Sequence, residues 1–240
     1  GAVITDWGGS NDHALGVKNG STLEMPAPGG DSVRELLAAV ESGKISESDI
    51  DARLSELLPL VFDTKAALDA APREFDAAAH HALARRAAEE SLVLLKNEGA
   101  LLPLAAGSKV AVIGDFAKNP RYQGAGSSMV NSTQVDVLLD KLIDSELNVI
   151  GYQQGFDRHG KPDAALQKSA CELAAQANAV ILCMGLDEIA ESEGLDRSNL
   201  RLAQNQVDLL QAVKAVNPKI VVVLYSGSVV ETPWLDNCQA

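Results

Sequence analysis

Lys109-Val-Ala-Val-Ile113 is a short apolar run in the middle of the chain, and it begins a repeating pattern. Similar strand-like runs follow it at 147–151, 179–183 and 219–225. Segments with helical apolar spacing separate these runs, at roughly 134–145, 163–177 and 203–216. Because strands that alternate with helices form parallel sheets covered on both faces, we expect an α/β fold here.

The first 65 residues have a different organisation, in which two short strand-like segments precede two helices. Ala2-Val-Ile4 runs directly into Asp6-Trp7-Gly8-Gly9, where the glycines permit a sharp turn. Leu23-Glu-Met25 is the second strand-like segment, and a short helix over 12–18 lies between the two. Asp31 is the predicted N-cap of the next helix, and Ser46 to Asp49 begin another.

The segment between these two regions lacks a strong period. Residues 66–76 contain Pro72 and are predicted to form a linker, after which an alanine-rich helix runs from Asp76 to about Lys96. We therefore divide the chain into residues 1–65, a linker and helix start over 66–84, and an α/β domain over 85–240 that we expect to be incomplete at its C-terminal end.

Composition excludes several classes of function. The 240 residues include 20 Lys and Arg against 33 Asp and Glu, so the net charge is 20 − 33 = −13. Nucleic acids and anionic membranes attract clustered cations, so we expect neither as a partner. A spanning helix needs about 18 consecutive apolar residues, and every apolar run here is much shorter.

Cysteine and histidine residues indicate neither a disulfide scaffold nor a metal site. Cys171, Cys183 and Cys238 show no metal-ligand spacing, and two of them lie in apolar surroundings that favour reduced thiols. Cys171 and Cys183 could still approach each other in a fold, so the sequence leaves their redox state open. The adjacent His80 and His81 point to different sides of a helix and are poor co-ligands.

The ends of the sequence suggest a piece of a longer polypeptide. The chain opens on a buried-strand pattern at Gly1 and stops at Ala240 shortly after another strand. Any targeting segment of such a protein would lie upstream, so the sequence does not indicate a cellular location.

Asp6 is a candidate nucleophile. It follows a short apolar strand, and catalytic groups of parallel barrels gather at the carboxyl ends of the strands. The neighbouring indole of Trp7 offers an apolar platform for a sugar, which suits nucleophilic attack at a glycosidic carbon. The competing interpretation is structural: Asp6 caps the following turn and Trp7 belongs to the core.

A second candidate site is the acidic loop that follows the strand at 179–183. Five carboxylates lie within ten residues, namely Asp187, Glu188, Glu191, Glu193 and Asp196. Ligand sites of open α/β sheets lie in such loops, and a buried carboxyl group with a raised pKa is a suitable general acid. The alternatives are a solvated acidic loop and, for Asp196-Arg197, an internal ion pair.

Gly124-Ala-Gly-Ser-Ser128 is a glycine-serine loop that we expect to line a cleft. It lacks the lysine of a phosphate-binding P-loop and does not complete a dinucleotide fingerprint. A nucleotide-binding domain would rest only on Val112-Ile-Gly114 and is the weakest hypothesis.

Taken together, these segments resemble glycoside hydrolase family 3, the β-glucosidase and β-xylosidase group. Val3 to Gly8 is similar to the family's nucleophile segment, and Gly20 to Pro26 to the next barrel strand, although the family commonly has aspartate where this chain has Thr22. The run from Ala88 to Leu104 is similar to the family's entry into its second domain, and is the most diagnostic. Glu193-Gly-Leu-Asp-Arg197 is similar to the segment that donates the acid/base.

The resemblance implies the C-terminal part of a (β/α)8 barrel followed by an α/β sandwich with a mainly parallel sheet. It implies retaining hydrolysis of terminal β-linked sugars, β-glucosides above all, with Asp6 as nucleophile, Glu193 as acid/base and no metal or organic cofactor. The aglycone of a β-glucoside or oligosaccharide substrate would contact Trp7, Ser127 and Ser128.

Two expectations qualify this assignment. A complete barrel takes about 250 residues, whereas about 65 precede the linker, so we expect the 240-residue chain alone to be inactive. The alternative class of function is a non-catalytic α/β ligand-binding or interaction module with a solvated acidic loop.

Overall fold

The structure is a computed structural model that describes residues 1–70 and 74–240. The chain forms two compact units, Gly1–Asp76 and Ala77–Ala240, called here the N-terminal and the C-terminal unit. The predicted linker at 66–76 lies partly outside the described residues. Its first residues are helical rather than irregular, because the preceding helix extends to Asp69.

The N-terminal unit contains three helices in its described residues: α1 (His13–Lys18), α2 (Asp31–Glu41) and α3 (Glu47–Asp69). The two predicted strands are reduced to one parallel bridge between Ile4 and Leu23. Thr5 N donates to Leu23 O at 3.0 Å, and Thr22 N donates to Val3 O at 2.9 Å. The two segments are therefore parallel neighbours, each of which is followed by a helix.

Of the two helix starts predicted from capping residues in this unit, the one at Ser46 agrees with the structure and the one at Asp31 does not. The Asp12 carboxylate accepts from Leu15 N, and Ser46 forms a capping box with Asp49. The prediction that Asp31 caps α2 was wrong, because Gly30 is the N-cap. Gly30 has φ +96°, a conformation that glycine adopts without the steric cost of a Cβ.

Apolar side chains of the N-terminal unit are largely uncovered. Its small core consists of Ala14, Ala39 and Ile45. Larger apolar side chains lie on its surface, and these include Val3, Ile4, Phe62 and Leu68. These side chains form an uncovered apolar surface, and the hydrophobic effect favours covering such area.

His13 connects two parts of the N-terminal unit. Its ring nitrogens lie 2.5 Å from Glu35 Oε2 on α2 and 2.7 Å from Glu24 Oε1, which follows the bridge residue Leu23. The hydrogen bond to Glu35 is the main cause that raises the pKa of His13 above its ordinary value of 6.5.

We therefore expect His13 to titrate above 6.5 and to stabilise the N-terminal unit in its protonated form. This stabilisation is present below the unfolded pKa and is lost as the pH rises through the folded pKa, because the unfolded imidazole binds its proton more weakly. The pKa is measured from the ring-proton NMR signals of the 240-residue chain, with His13→Gln to assign them. Glu35→Gln should lower it, and a pKa at or below 6.5 in the unmodified chain would contradict the expectation.

The C-terminal unit is an α/β domain around a parallel sheet. Its helices in the described residues are α4 (Ala77–Glu90), α5 (Leu138–Ile143), α6 (Ala164–Ala174) and α7 (Gln204–Val216). Its strands are β1 (Lys109–Ile113), β2 (Asn148–Gln153), β3 (Ala179–Gly185) and β4 (Ile220–Tyr225). The strand order is β2-β1-β3-β4, and every neighbouring pair is parallel. The predicted α/β fold with a parallel sheet is confirmed.

Two predicted helices are shorter in the structure. The alanine-rich helix ends at Glu90 rather than Lys96, because the chain leaves the helix at Ser91. Residues 91–96 instead line an apolar cleft of about 470 Å³ together with residues 221–224 of β4. The helix predicted from 134 begins at Leu138 and has only six residues.

The core of the C-terminal unit lies around β1 and β3. All of β3 is buried, and the amide of Gln206 on α7 both donates to and accepts from the backbone of Gly185 at 2.9 Å. Gly114 follows β1 with φ +111°, and a Cβ there would lie 2.0 Å from Cys183 O. The chain can leave β1 at this point only with glycine, which fixes the start of the loop over residues 114–137.

Two further properties concern the whole described chain. Among residues 1–70 and 74–240, none of the helices is long and apolar enough to cross a membrane. In the same residues Cys171, Cys183 and Cys238 are free thiols, and burial raises the pKa of Cys183 to about 12. Cys171 and Cys183 therefore do not form a disulfide in this structure.

Candidate active site

Asp6 lies in a tight turn after the first strand segment of the N-terminal unit. Gly9 N donates to Asp6 O at 2.9 Å, and Gly8 at φ +69° lets the chain reverse. Trp7 N donates to Asp6 Oδ1 at 2.8 Å, which orients the carboxylate. The Asp6 side chain is exposed, so one of its oxygens is available to a substrate.

The indole of Trp7 is 69% exposed. Within the N-terminal unit Trp7 is therefore not a core residue, whereas Asp6 accepts two hydrogen bonds in the turn, as the structural alternative expected. An exposed indole next to an exposed carboxylate is a suitable platform for the apolar face of a sugar.

Glu193 lies at the other candidate site, on the loop after β3, where the glycine-serine loop after β1 holds it. Ser192 forms a parallel bridge with Ala125, and Glu193 N donates to Ala125 O at 3.2 Å. Ser127 N donates to Glu193 Oε2 at 2.6 Å. A Cβ on Gly126 would lie 2.6 Å from Glu193 Cβ, so the loop approaches this closely because residue 126 is glycine.

The hydrogen bonds from Ser127 hold the pKa of Glu193 below its ordinary value of 4.5. The sequence suggested a general acid in this loop with a raised pKa, so the direction for Glu193 is the opposite of that expectation. Three of the neighbouring carboxylates are engaged by other side chains. Asp187 lies 2.8 Å from His159 Nδ1, Glu188 pairs with Arg158, and Glu191 pairs with Arg121.

The acidic loop thus contains both exposed and buried carboxylates and is not uniformly solvated. Glu193 and Asp196 are exposed, whereas the Glu191 side chain is only 9% exposed. Arg197 does not pair with Asp196 as the sequence suggested. Its guanidinium lies 3.8 Å from Glu191 and donates to Ser228 Oγ at 3.1 Å.

A cleft of about 590 Å³ opens at this edge of the sheet. The loops after β1, β3 and β4 contribute Gly124, Leu195 and Val229 to its lining, respectively. Carboxyl ends of parallel strands form the ligand-binding edge of α/β sheets, and the cleft opens at that edge, with Glu191 but not Glu193 in its lining. The backbone N–H of Ser127 donates to the carboxylate of Glu193. Ser128 Oγ lies 2.8 Å from the position that a Cβ on Gly124 would occupy.

Comparison with known proteins identifies the family. A sequence model described as "Glycosyl hydrolase family 3 C-terminal domain" matches residues 92–240. The chain belongs to glycoside hydrolase family 3. The family resemblance predicted from the sequence is confirmed, and it covers the unit that carries Glu193.

Relatives within the family are named as glycosidases. The chain is 39% identical to an exo-alpha-(1->6)-L-arabinopyranosidase of Bifidobacterium breve and 38% identical to thermostable beta-glucosidase B of Acetivibrio thermocellus. All of this chain is covered in both alignments, but only 33% and 32% of those proteins. The chain therefore spans about a third of their length.

A solved structure in the family has the same fold. The GH3 beta-glucosidase of Bifidobacterium adolescentis superposes with a TM-score of 0.89 at 41% sequence identity. The match covers 100% of this chain and 35% of that one. The β-glucosidase 3B of Thermotoga neapolitana, at 22% identity and a TM-score of 0.80, shares the fold.

Sequence reasoning missed the arrangement that fixes the Glu193 loop. Glu191 was one of five loop carboxylates, and nothing in its spacing distinguished it from the others. The available signal was that Arg121 and Ser228 lie in loops that follow strands of the same sheet. That signal indicates an edge but does not identify partners, because the loops are long enough to fold in many ways.

Proposed function

We propose that this chain is part of a retaining β-glycosidase, with glucose as the preferred sugar. The proposal rests on the placement of Glu193. Its carboxylate is exposed at the ligand-binding edge of the sheet, and Ser127 N donates to its Oε2 at 2.6 Å. A catalytic acid must be held in place and remain reachable by substrate, and Glu193 meets both requirements.

The N-terminal unit supplies the end of a (β/α)8 barrel in this proposal. Its two strand segments are parallel neighbours joined at Ile4 and Leu23, and each is followed by a helix, as in a βα repeat. Its uncovered apolar side chains supply the surface against which further βα units would pack. Asp6 then lies at the carboxyl end of a barrel strand, where active sites of such barrels form.

The reaction proceeds in two displacements at the anomeric carbon. An Asp6 oxygen attacks that carbon while the bond to the aglycone oxygen breaks, and Glu193 transfers its proton to the departing oxygen. In the second step Glu193 removes a proton from water, whose oxygen attacks the same carbon and releases Asp6. Two inversions give retention, and the carboxylates must approach to about 5–5.5 Å from each other.

Glu193 must be protonated before the first step, although its own hydrogen bonds favour the ionised form. Bound substrate provides the opposing effect. An aglycone that covers the loop removes water from the carboxylate, and desolvation disfavours the charged form of a carboxylic acid. The proton is then held only when there is a leaving group to receive it.

Trp7, Ser127 and Ser128 form the proposed sugar and aglycone contacts. Trp7 offers its exposed indole face, and the serine hydroxyls border the carboxylate that serves the leaving oxygen. The two-carboxylate reaction requires no metal or organic cofactor.

A covalent trap tests the proposal. The test uses the complete protein, meaning the whole polypeptide of which residues 1–240 are a part. A 2-deoxy-2-fluoro-β-glucoside with a dinitrophenol leaving group should glycosylate the enzyme faster than water can release it, because fluorine destabilises both oxocarbenium-like transition states. Mass spectrometry of a digest should place one sugar on the peptide that carries Asp6.

Asp6→Ala is the control, and it should acquire no sugar under the same conditions. A label on another residue would reject Asp6 as nucleophile. An unlabelled wild-type protein that still hydrolyses glucosides would reject the covalent mechanism.

A further inference from the structure

Glu191 is the most heavily engaged carboxylate of the C-terminal unit, and the proposed reaction does not use it. One oxygen, Oε2, accepts from Arg121 Nη1 and from Gly227 N, the latter at 2.9 Å. The other, Oε1, accepts from Ser228 Oγ, and Arg197 Nη1 lies 3.8 Å from it. Its partners come from the loops after β1, β3 and β4, so one carboxylate joins three loops.

Both members of the central ion pair are buried. The side chains of Glu191 and Arg121 are 9% and 8% exposed. A buried charge is costly unless it is paired and hydrogen-bonded, and here each charge compensates the other. Removing the negative charge of Glu191 leaves the Arg121 cation with weaker compensation in the same place, so the three loops lose the contact that fixes their spacing.

Glu191, which joins the three loops, lies two residues before Glu193 in the chain. Ser192, between them, is bridged to Ala125, and Glu193 N donates to Ala125 O at 3.2 Å. The backbone of residues 191–193 is thus fixed at one end by the Glu191 carboxylate and at the other by the glycine-serine loop. A shift at Glu191 moves the backbone from which Glu193 projects.

We propose that Glu191 is a positioning residue for the acid/base Glu193, and that it acts by joining the loops of Arg121 and Ser228 to the loop that bears Glu193. This inference rests on the proposed function. It predicts a defect in proton donation specifically, because the N-terminal unit that carries Asp6 contributes none of these contacts.

The test compares two leaving groups in the complete protein carrying Glu191→Gln. Phenyl β-glucoside needs protonation of its leaving oxygen, whereas 2,4-dinitrophenyl β-glucoside departs without it. General acid catalysis contributes about 10²–10⁴-fold. Because a misplaced acid forfeits part of that contribution, we expect kcat/KM for the phenyl substrate to fall by at least about 30-fold, and for the dinitrophenyl substrate by less than about 3-fold.

Covalent trapping separates misfolding from misplacement. Trapping by the dinitrophenyl 2-fluoroglucoside does not require the acid, so the labelled fraction counts molecules with an intact nucleophile site. The proposal is supported if wild type and Glu191→Gln are labelled equally and the variant loses kcat/KM on the phenyl substrate but not on the dinitrophenyl substrate. Equal loss on both substrates, or no loss, at full labelling overturns it. Failure of wild type to label rejects the proposed function instead.

Two further variants keep the test decisive. Ser228→Ala removes a single donor to Glu191, and should show the same selectivity with a smaller loss. If Glu191→Gln acquires no covalent label, Ser228→Ala decides the test. An equal loss of kcat/KM on both substrates in Ser228→Ala overturns the proposal. Glu172→Gln on α6 is the matched control, because it removes an exposed carboxylate 3.8 Å from Lys168, and it should retain wild-type rates on both substrates.

Discussion

Replacing Asp6 with alanine in the complete protein is expected to reduce kcat for 4-nitrophenyl β-glucoside by at least ~10⁴-fold, as loss of a nucleophile does in other covalent enzymes. Added azide should restore part of the cleavage, because the small anion fits the space that the carboxylate leaves and attacks the anomeric carbon from the same side. The product would be a glycosyl azide of inverted configuration, identified by NMR.

The outcome separates an enzyme from a binding module. Asp6 is exposed and holds only the amide of its neighbour Trp7, so alanine removes little that the turn needs. Glu193→Gln is the companion variant, and its loss should depend on the leaving group. If neither variant changes any sugar-dependent signal, the chain belongs to a non-catalytic α/β module.

The second prediction concerns the 240-residue chain by itself, which is expected to hydrolyse aryl β-glucosides at no more than the background rate. About two further hundred residues of barrel would be needed to surround a sugar at Asp6. In the chain, Val3, Ile4 and Trp7 around the nucleophile are half exposed or more. A sugar there would meet water on most sides, so neither its orientation nor its transition state would be fixed.

The measurement compares the chain with the complete protein at equal concentration. Circular dichroism of the chain serves as the control, because the parallel sheet and its helices should be present without activity. Robust hydrolysis by the chain would contradict this prediction and, with it, the need for further barrel units.

The sequence predicted the sheet well because buried parallel strands are continuous apolar runs. The four runs beginning at Lys109 correspond to β1 to β4 with shifts of one or two residues at their ends. It failed at Leu92 to Leu95, which follow an alanine-rich helix without a clear stop signal and lie outside any helix or strand in the structure. Tertiary contacts decide such a boundary, since the same leucines suit a helix or a strand.

The candidate site was also only partly predictable from the sequence. Asp6 and Glu193 could be proposed as catalytic residues because each follows a strand and matches a family segment. The electrostatic state of Glu193 could not, because it depends on Ser127, which lies 66 residues earlier in the chain. Nor could the sequence distinguish Glu191 from its acidic neighbours, since its importance arises from three loops that meet only in the folded domain.

The contacts described for Glu193, and those for Glu191 two residues before it, all lie within the C-terminal unit. In the proposed function, this unit therefore carries the proton donor with its supporting contacts, separately from the barrel that would recognise the sugar. A chimaera can join the C-terminal unit of this protein to the barrel of another family member. The alkaline limb of its pH–rate profile should match that of this protein, whereas its sugar preference should match that of the protein that supplied the barrel.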